Sequence, residues 1–282
     1  MIVDGRAIAG EIIASTRERV AAFGRALRLV AIAADGSAAT ASYLRIKKVQ
    51  ALKAGIEMQV VDLAADAKGL YIAASVTAAA EAADAVIVQL PLPAGVEAKT
   101  VLNAIPLDKD ADVLSDAART RFNHGAFMHP EPMLPPVVAA MKTILERAGA
   151  GVNGARAVVV GNGWLVGEPC AAWLTQQGAA VTVLTRESAD FAQALAAADL
   201  IVSGAGSPGL IKPGMVKQGV IIIDAGTSES NGAIVGDADP ACAGVASVFT
   251  PVPGGVGPVA VACLFQNAIT LAERAAAARP GR

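Results

Sequence analysis

Ala157-Val-Val-Val-Gly161-Asn-Gly163-Trp-Leu-Val-Gly167-Glu-Pro-Cys-Ala-Ala172 reads as a strand, a glycine turn and a helix. In the spacing G-x-G-x-x-x-G the first glycine makes the tight turn. The second lets backbone approach a pyrophosphate, and the third lets helix and strand pack closely. Phosphate then rests on the N–H groups and positive dipole end of the helix. The strand before and the helix after supply the context that a bare glycine pattern lacks. The stretch predicts a dinucleotide site on Gly161, Asn162, Gly163, Val166 and Gly167, against the plainer reading of a structural βα turn.

Cofactor choice is read at the end of the next strand, where an NAD site usually places an acid for the ribose hydroxyls. This chain has Thr185-Arg186-Glu187 there. A guanidinium holds a 2′-phosphate through charge-assisted bonds, which favours NADP over NAD. Glu187 is a competitor for Arg186, and a solvated loop charge is the plainer reading. Gly204 and Thr227, just past the two strands that follow, complete the expected cofactor residues.

Outward from this turn, β-branched runs alternate with alanine-rich helical stretches. Strands are expected at 27–33, 58–63, 85–90, 155–161, 180–184, 200–203, 220–224 and 246–249. Helices are expected at 10–23, 41–54, 69–82, 137–148, 166–177, 188–197 and 259–278. Such alternation implies βαβ units and parallel sheets. The glycine-rich stretch 148–154 is the best domain boundary, and a loop-rich segment precedes it at 106–136. The predicted architecture is α/β with two lobes. An N-terminal α/β substrate domain takes residues 1–148 plus about 258–282, with the last helix packing back on it. A Rossmann-like, doubly wound dinucleotide domain takes 149–257.

A formal net charge of −2 gives no electrostatic reason to expect nucleic acid or an anionic membrane as partner. No run of 18 apolar residues predicts a membrane span, and Met1–Arg6 does not read as a secretory signal. Three scattered cysteines and two histidines give neither a zinc spacing nor a disulfide framework, so no metal is expected and a reducing cytoplasm is.

Tyr43 and Lys47 stand at i, i+4 on one face of a predicted helix. A phenol beside an ammonium is an acid/base arrangement, although a wet basic face with Arg45 and Lys48 is the plainer reading. Gln89 ends a strand in Gln89-Leu-Pro-Leu-Pro93, at the sheet edge where α/β proteins bind ligands. Asp108, Asp110 and Asp112 cluster in a loop that also reads as ordinary turn chemistry. Tyr-x-x-x-Lys also occurs in short-chain dehydrogenases, but there it follows the glycine turn; here it precedes it, in another domain. Finally, Thr250-Pro-Val-Pro-Gly-Gly-Val-Gly-Pro258 holds three prolines and three glycines, a stiff, bare segment suited to close approach.

Together these motifs resemble the bifunctional methylenetetrahydrofolate dehydrogenase/methenyltetrahydrofolate cyclohydrolase family. The resemblance runs from Asp4-Gly through Tyr43 and Lys47, Gln-Leu-Pro-Leu-Pro and Lys109-Asp-Ala-Asp112. It continues through Val166-Gly-x-Pro169, Gly206-Ser-Pro208, Ile223-Asp-Ala-Gly226, Gly236-Asp237 and the Thr250–Pro258 signature. It implies two lobes with a folate cleft and a homodimer formed through the nucleotide domain. Lys47 would serve the cyclohydrolase step, Tyr43 would shape the site, and Gln89 would orient the lysine. Asp112 would hold the pterin ring. Thr40 stands where the family often has serine, and Pro251, Pro253, Gly254 and Gly255 would line the folate site.

The implied chemistry suits these residues. Oxidation of the methylene carbon needs positioning more than strong acid or base. Ring opening by water needs proton transfers, which a lysine drawn partly out of water can serve. Departures from the family pattern surround this set. Asp112-Val-Leu-Ser115 replaces Asp-Gly-Phe-His, and Pro132-Met-Leu-Pro135 replaces Pro-Cys-Thr-Pro. Gly161-Asn-Gly163 lacks the arginine and serine of Gly-Arg-Ser, and the segment Asp116–His124 is unfamiliar. A dehydrogenase without useful cyclohydrolase activity and a binding paralogue without turnover are therefore the alternatives to a bifunctional enzyme.

Overall fold

The computed structural model describes residues 1–124, 132–230 and 232–278. The chain divides into two compact units: Gly10–Pro136 with Val261–Arg282, and Met1–Ala9 with Val137–Ala260. The segment 125–131, inside the expected loop-rich region, and the chain end from 279 lie outside the described residues.

The first unit contains α1 (Gly5–Ala22) from Gly10 onward, β1 (Leu27–Ala33), α2 (Ala38–Lys53) and β2 (Ile56–Asp62). It continues with α3 (Gly69–Ala82), β3 (Ala85–Val88), α4 (Ala98–Leu102) and α5 (Asp116–Asn123). Its parallel sheet has the order β2-β1-β3. All four residues of β3 are buried, as expected of a strand covered on both faces. The helix α2 starts where Ser37 accepts from the Thr40 N–H, an N-cap that satisfies one of the free donors of the first turn.

The second unit contains α6 (Pro136–Arg147), β4 (Arg156–Val160), α7 (Gly167–Gln176), β5 (Ala180–Leu184), α8 (Phe191–Ala197), β6 (Leu200–Ser203) and β7 (Ile221–Asp224). A hairpin, β8 (Ser228–Ser230) and β9 (Ala233–Val235), precedes β10 (Val248–Phe249) and α9 (Val256–Ala277). The parallel order β10-β7-β6-β4-β5 reverses direction at β4, the strand that leads into the glycine turn. Ligands of open α/β sheets bind outside the carboxyl ends of strands at such a reversal.

The unit boundaries differ from the sequence expectation at the N-terminus. Ile2 bridges in parallel to Phe249, and the Val3 N–H donates to the Phe249 carbonyl at 2.9 Å. Backbone pairing of the first residues with β10 therefore places Met1–Ala9 in the second unit. Helix α1 also begins earlier than expected, because the Asp4 carboxylate accepts from the Arg6 and Ala7 N–H groups. The short helix α5 occupies part of the segment expected as loop, and α4 stands where no element was expected. Ser115 caps α5 by accepting from the Ala118 N–H, although that polar helix carries little apolar periodicity.

Helix α9 packs back on the first unit. Asn267 donates to the carbonyls of Ala111 and Leu134, both at 2.9 Å, and Glu273 pairs with Arg19 of α1. By length and composition alone α9 is apolar enough to cross a membrane. Most of it is buried in protein, including Leu264, Phe265, Ala268 and Ile269, which is the pattern of a core helix.

Candidate functional site

In the first unit, Lys47 on α2 and Gln89 at the end of β3 meet although 42 residues separate them. The Lys47 Nζ donates to Gln89 Oε1 at 2.9 Å, and Gln89 Nε2 donates to the Leu90 carbonyl at 2.7 Å. The second bond sets which end of the amide faces the lysine. Tyr43 lies one turn earlier on the same helix and is 41% exposed. Thr40 is buried, and its hydroxyl donates to Asp35 Oδ2 at 2.9 Å, which fixes the first turn of α2. Burial works against the Asp35 charge, but hydrogen bonds from Ser37 and Thr40 outweigh it and hold its carboxyl below the usual range.

Asp112 joins this group. Protein atoms surround its carboxyl while solvent still reaches part of the side chain. Desolvation pushes it up to about 6; the nearby Lys47 charge opposes this and Asp110 adds to it. Asp110 itself is 1% exposed, so the acidic loop is not merely solvated turn chemistry. Burial raises the Asp110 pKa against bonds from the backbone of Ser115 and Leu114. Its carboxylate accepts from the N–H of Leu114 at 3.0 Å and of Ser115 at 2.8 Å. Between these residues and Asp112 stands Val113 with φ +58°, a left-handed conformation costly for a β-branched side chain. The resemblance places glycine there, and the buried Asp110 clamp holds the same kind of turn with valine. Lys109 of the same motif is structural: its Nζ donates to the carbonyls of Ala80 and Ala83 at the end of α3.

In the second unit the glycine turn has the geometry its sequence predicts. Gly161 takes φ +94°, and a Cβ on Gly167 would lie 2.0 Å from the Gly161 carbonyl oxygen. A Cβ on Gly204 would lie 2.4 Å from Val166 Cγ1. Gly161, Val166, Gly167 and Gly204 thus converge at the end of β4. Asn162 and Gly163 stand exposed on the turn, and a Cβ on Gly163 would meet no atom within 4 Å. This bare crest at a helix N-terminus fits a dinucleotide pyrophosphate.

At the end of β5 the Thr185 N–H donates to Ser188 Oγ at 3.0 Å. Arg186 Nη2 donates to Ser207 Oγ at 3.3 Å, and among the described residues Arg186 makes no ion pair with Glu187 or any other carboxylate. Thr227 is exposed in the turn after β7.

Two buried acids beneath these loops received no role from the sequence. Asp237 accepts from Ser203 Oγ and from the N–H groups of Ala205 and Ser207, each at 2.7 Å. Asp224 accepts from the Gly226 N–H at 2.9 Å and the Ala238 N–H at 2.8 Å. Each carboxylate occupies the space a Cβ would take on a glycine of the other's segment: Asp237 at Gly226 and Asp224 at Gly236, both 2.2 Å away. The signal was present in Ile223-Asp-Ala-Gly226 and Gly236-Asp237, where an acid and a glycine recur together.

Pro251, Pro253, Gly254 and Gly255 form a tight loop within the second unit. The Gly255 N–H donates to the Pro251 carbonyl at 2.7 Å, and Thr250 Oγ1 accepts from the Asp224 N–H. A Cβ on Gly5 would lie 1.9 Å from the Gly255 oxygen. The start of α1 and the glycine pair therefore touch backbone to backbone, which explains why bare residues stand at both places.

Comparison with known proteins places both parts of the chain in one family. Residues 3–112 match the family model described as tetrahydrofolate dehydrogenase/cyclohydrolase, catalytic domain. Residues 135–276 match that of the NAD(P)-binding domain of the same proteins. The chain is 35% identical over 275 residues to the bifunctional protein FolD of Parafrankia sp., covering 96% of this chain and 98% of that one. It is 36% identical over 286 residues to that of Aromatoleum aromaticum, covering 98% and 97%. A solved structure of the Trypanosoma brucei N5,N10-methylenetetrahydrofolate dehydrogenase-cyclohydrolase, complexed with NADP cofactor and inhibitor, superimposes with a TM-score of 0.93 at 32% identity, covering 99% of each chain.

Proposed function

Because the chain belongs to the tetrahydrofolate dehydrogenase/cyclohydrolase family, we propose that it oxidises 5,10-methylenetetrahydrofolate to the 5,10-methenyl compound with NADP and hydrolyses that product to 10-formyltetrahydrofolate. The observation that carries the reading is the Lys47–Gln89 pair, 2.9 Å apart, beside a carboxyl with a raised pKa.

Bound nicotinamide supplies the hydride acceptor. The protein's own work in that step is to hold the pterin. Ionised Asp112 accepts from the pterin amino and ring N–H donors, and Tyr43 offers an aromatic face one turn from Lys47. In the hydrolytic step water adds to the methenyl carbon and one carbon–nitrogen bond opens. Lys47 Nζ is the group placed to pass protons between that water and the departing nitrogen. Gln89 fixes the position of Nζ through one hydrogen bond and its own orientation through another. Thr40 acts indirectly, by fixing the start of the helix that carries Tyr43 and Lys47.

A guanidinium at Arg186 that pairs with no carboxylate among the described residues, in place of an acid, supports NADP over NAD. We place the enzyme in the cytoplasm as a homodimer formed through the nucleotide unit. Three buried free cysteines support the compartment, and the uncovered edge strand β5, with Val183 39% exposed, supports the interface.

The test is an absorbance assay on methylenetetrahydrofolate, run separately with NADP and NAD, with reduced cofactor and methenyl compound resolved by wavelength. Reduced NADP without accumulating methenyl compound is the expected result. Accumulation of the methenyl compound would show a dehydrogenase alone. No reduction with either cofactor would refute the assignment.

A further inference from the structure

The glycine turn lacks the arginine and serine that family members often place there, so 2′-phosphate selection must rest on other residues of this chain. Strands β5 and β6 flank β4 on its two sides. The Arg186–Ser207 hydrogen bond joins the loops beyond their carboxyl ends and so spans the end of β4. That is the crevice at the reversal of strand order, across which a dinucleotide lies on a sheet of this winding.

We propose that Ser207 is a specificity-determining residue of this enzyme, pairing with Arg186 to bind the 2′-phosphate of NADP. The proposal rests on the NADP reading above and adds a residue to it. Ser207 is half-buried and its position is set from below: the 0%-exposed Asp237 accepts from the Ser207 N–H and from the Ala205 N–H two residues earlier. Its hydroxyl accepts from the guanidinium in this structure. A hydroxyl both donates and accepts, so it turns its proton toward a phosphate oxygen that Arg186 also contacts. The result is two charge-assisted bonds from two loops to one dianion, which a 2′-hydroxyl of NAD does not repay equally.

Calorimetric titration with adenosine 2′,5′-bisphosphate and with adenosine 5′-monophosphate isolates this contact from turnover. In Ser207→Ala the bisphosphate weakens about tenfold, the effect of one hydrogen bond to a charged group. The monophosphate stays within about twofold, which also shows that the seat remains folded. Ser207→Thr keeps the hydroxyl and restores the preference. If Arg186→Ala loses the preference and Ser207→Ala does not, or if Ser207→Ala weakens both nucleotides alike, the role of Ser207 is overturned while the NADP reading stands. If Arg186→Ala also leaves the preference unchanged, the 2′-phosphate site lies elsewhere and both residue roles fall. If the unaltered protein shows no preference for the bisphosphate, the NADP reading itself falls.

Discussion

Lys47 and Asp112 carry opposite charges in one partly desolvated corner, and each determines what the other can do. Lys47→Met removes the ammonium while keeping most of the stem. Methenyl hydrolysis should fall by at least about 100-fold, the usual scale for a lost proton-transfer group, while methylene oxidation persists. Stopped-flow decay of methenyl absorbance measures this, and unchanged hydrolysis removes Lys47 from the mechanism. For Asp112 the sign follows from its pKa of about 6 against an ordinary 3.8. Between those values the folded protein holds a proton that the unfolded chain has released. Stability from this group is therefore full at low pH and declines as pH rises toward 6. Binding runs the other way, because the ionised carboxylate receives the pterin donors. Asp112→Asn should raise the melting temperature at pH 7.5, with the gain gone by pH 4, and should raise the KM for methylenetetrahydrofolate. In the unaltered enzyme KM should climb as pH falls below 6. A KM flat across that range would remove Asp112 from pterin binding.

At the scale of elements, the loops beyond β6 and β7 are set by a reciprocal fit of two acids into two glycine gaps. A methyl group on Gly236 would press on Asp224 Oδ2 at 2.2 Å and on Val252 Cγ2 at 2.8 Å. Gly236→Ala should cost about 2 to 3 kcal/mol by overpacking, seen as a melting temperature lower by about 5 °C or more. Gly163→Ala is the contrasting case. Its new methyl group meets open space, so stability should change by no more than about 0.5 kcal/mol, while nucleotide binding weakens because the crest is no longer bare. Calorimetric melting and nucleotide titration of both variants separate the two effects. The glycine turn was legible because its requirements are local: one positive φ at Gly161 and one close approach at Gly167. Helix α5 was not, because its cap at Ser115 is a single contact and its buried face is one i, i+4 pair, Ala118 and Phe122, in a short polar helix. The β8–β9 hairpin was not legible either, because its strands are only three residues long.

The whole molecule adds connections between distant parts of the chain. Met1–Ala9 joins the second unit by strand pairing at Phe249, and most of α9 returns to the first. The second unit's sheet has one edge next to the N-terminal residues and another at β5, where Thr182 and Val183 are exposed. If that edge forms the dimer, Val183→Lys should convert the dimer to a monomer in light scattering coupled to size exclusion. A variant that keeps the mass of the unaltered protein would move the interface elsewhere.

By itself the sequence determined the alternation of strands and helices, the dinucleotide turn, and the chemical types at Tyr43, Lys47, Gln89 and Asp112. Each depends on a period, a glycine or a residue class that neighbouring positions reveal. Only the tertiary structure decided that Lys47 meets Gln89, that Thr40 turns to Asp35, and that Asp110 holds a left-handed valine. It also decided that Asp224 and Asp237 fill the gaps at Gly236 and Gly226. Lys47 finds Gln89 42 residues away and Asp237 finds Ser203 34 residues away, so these partners meet only after the chain has brought distant segments together. The Thr40 and Asp110 bonds are short-range, but which nearby group each takes depends on the turn that the packed chain holds.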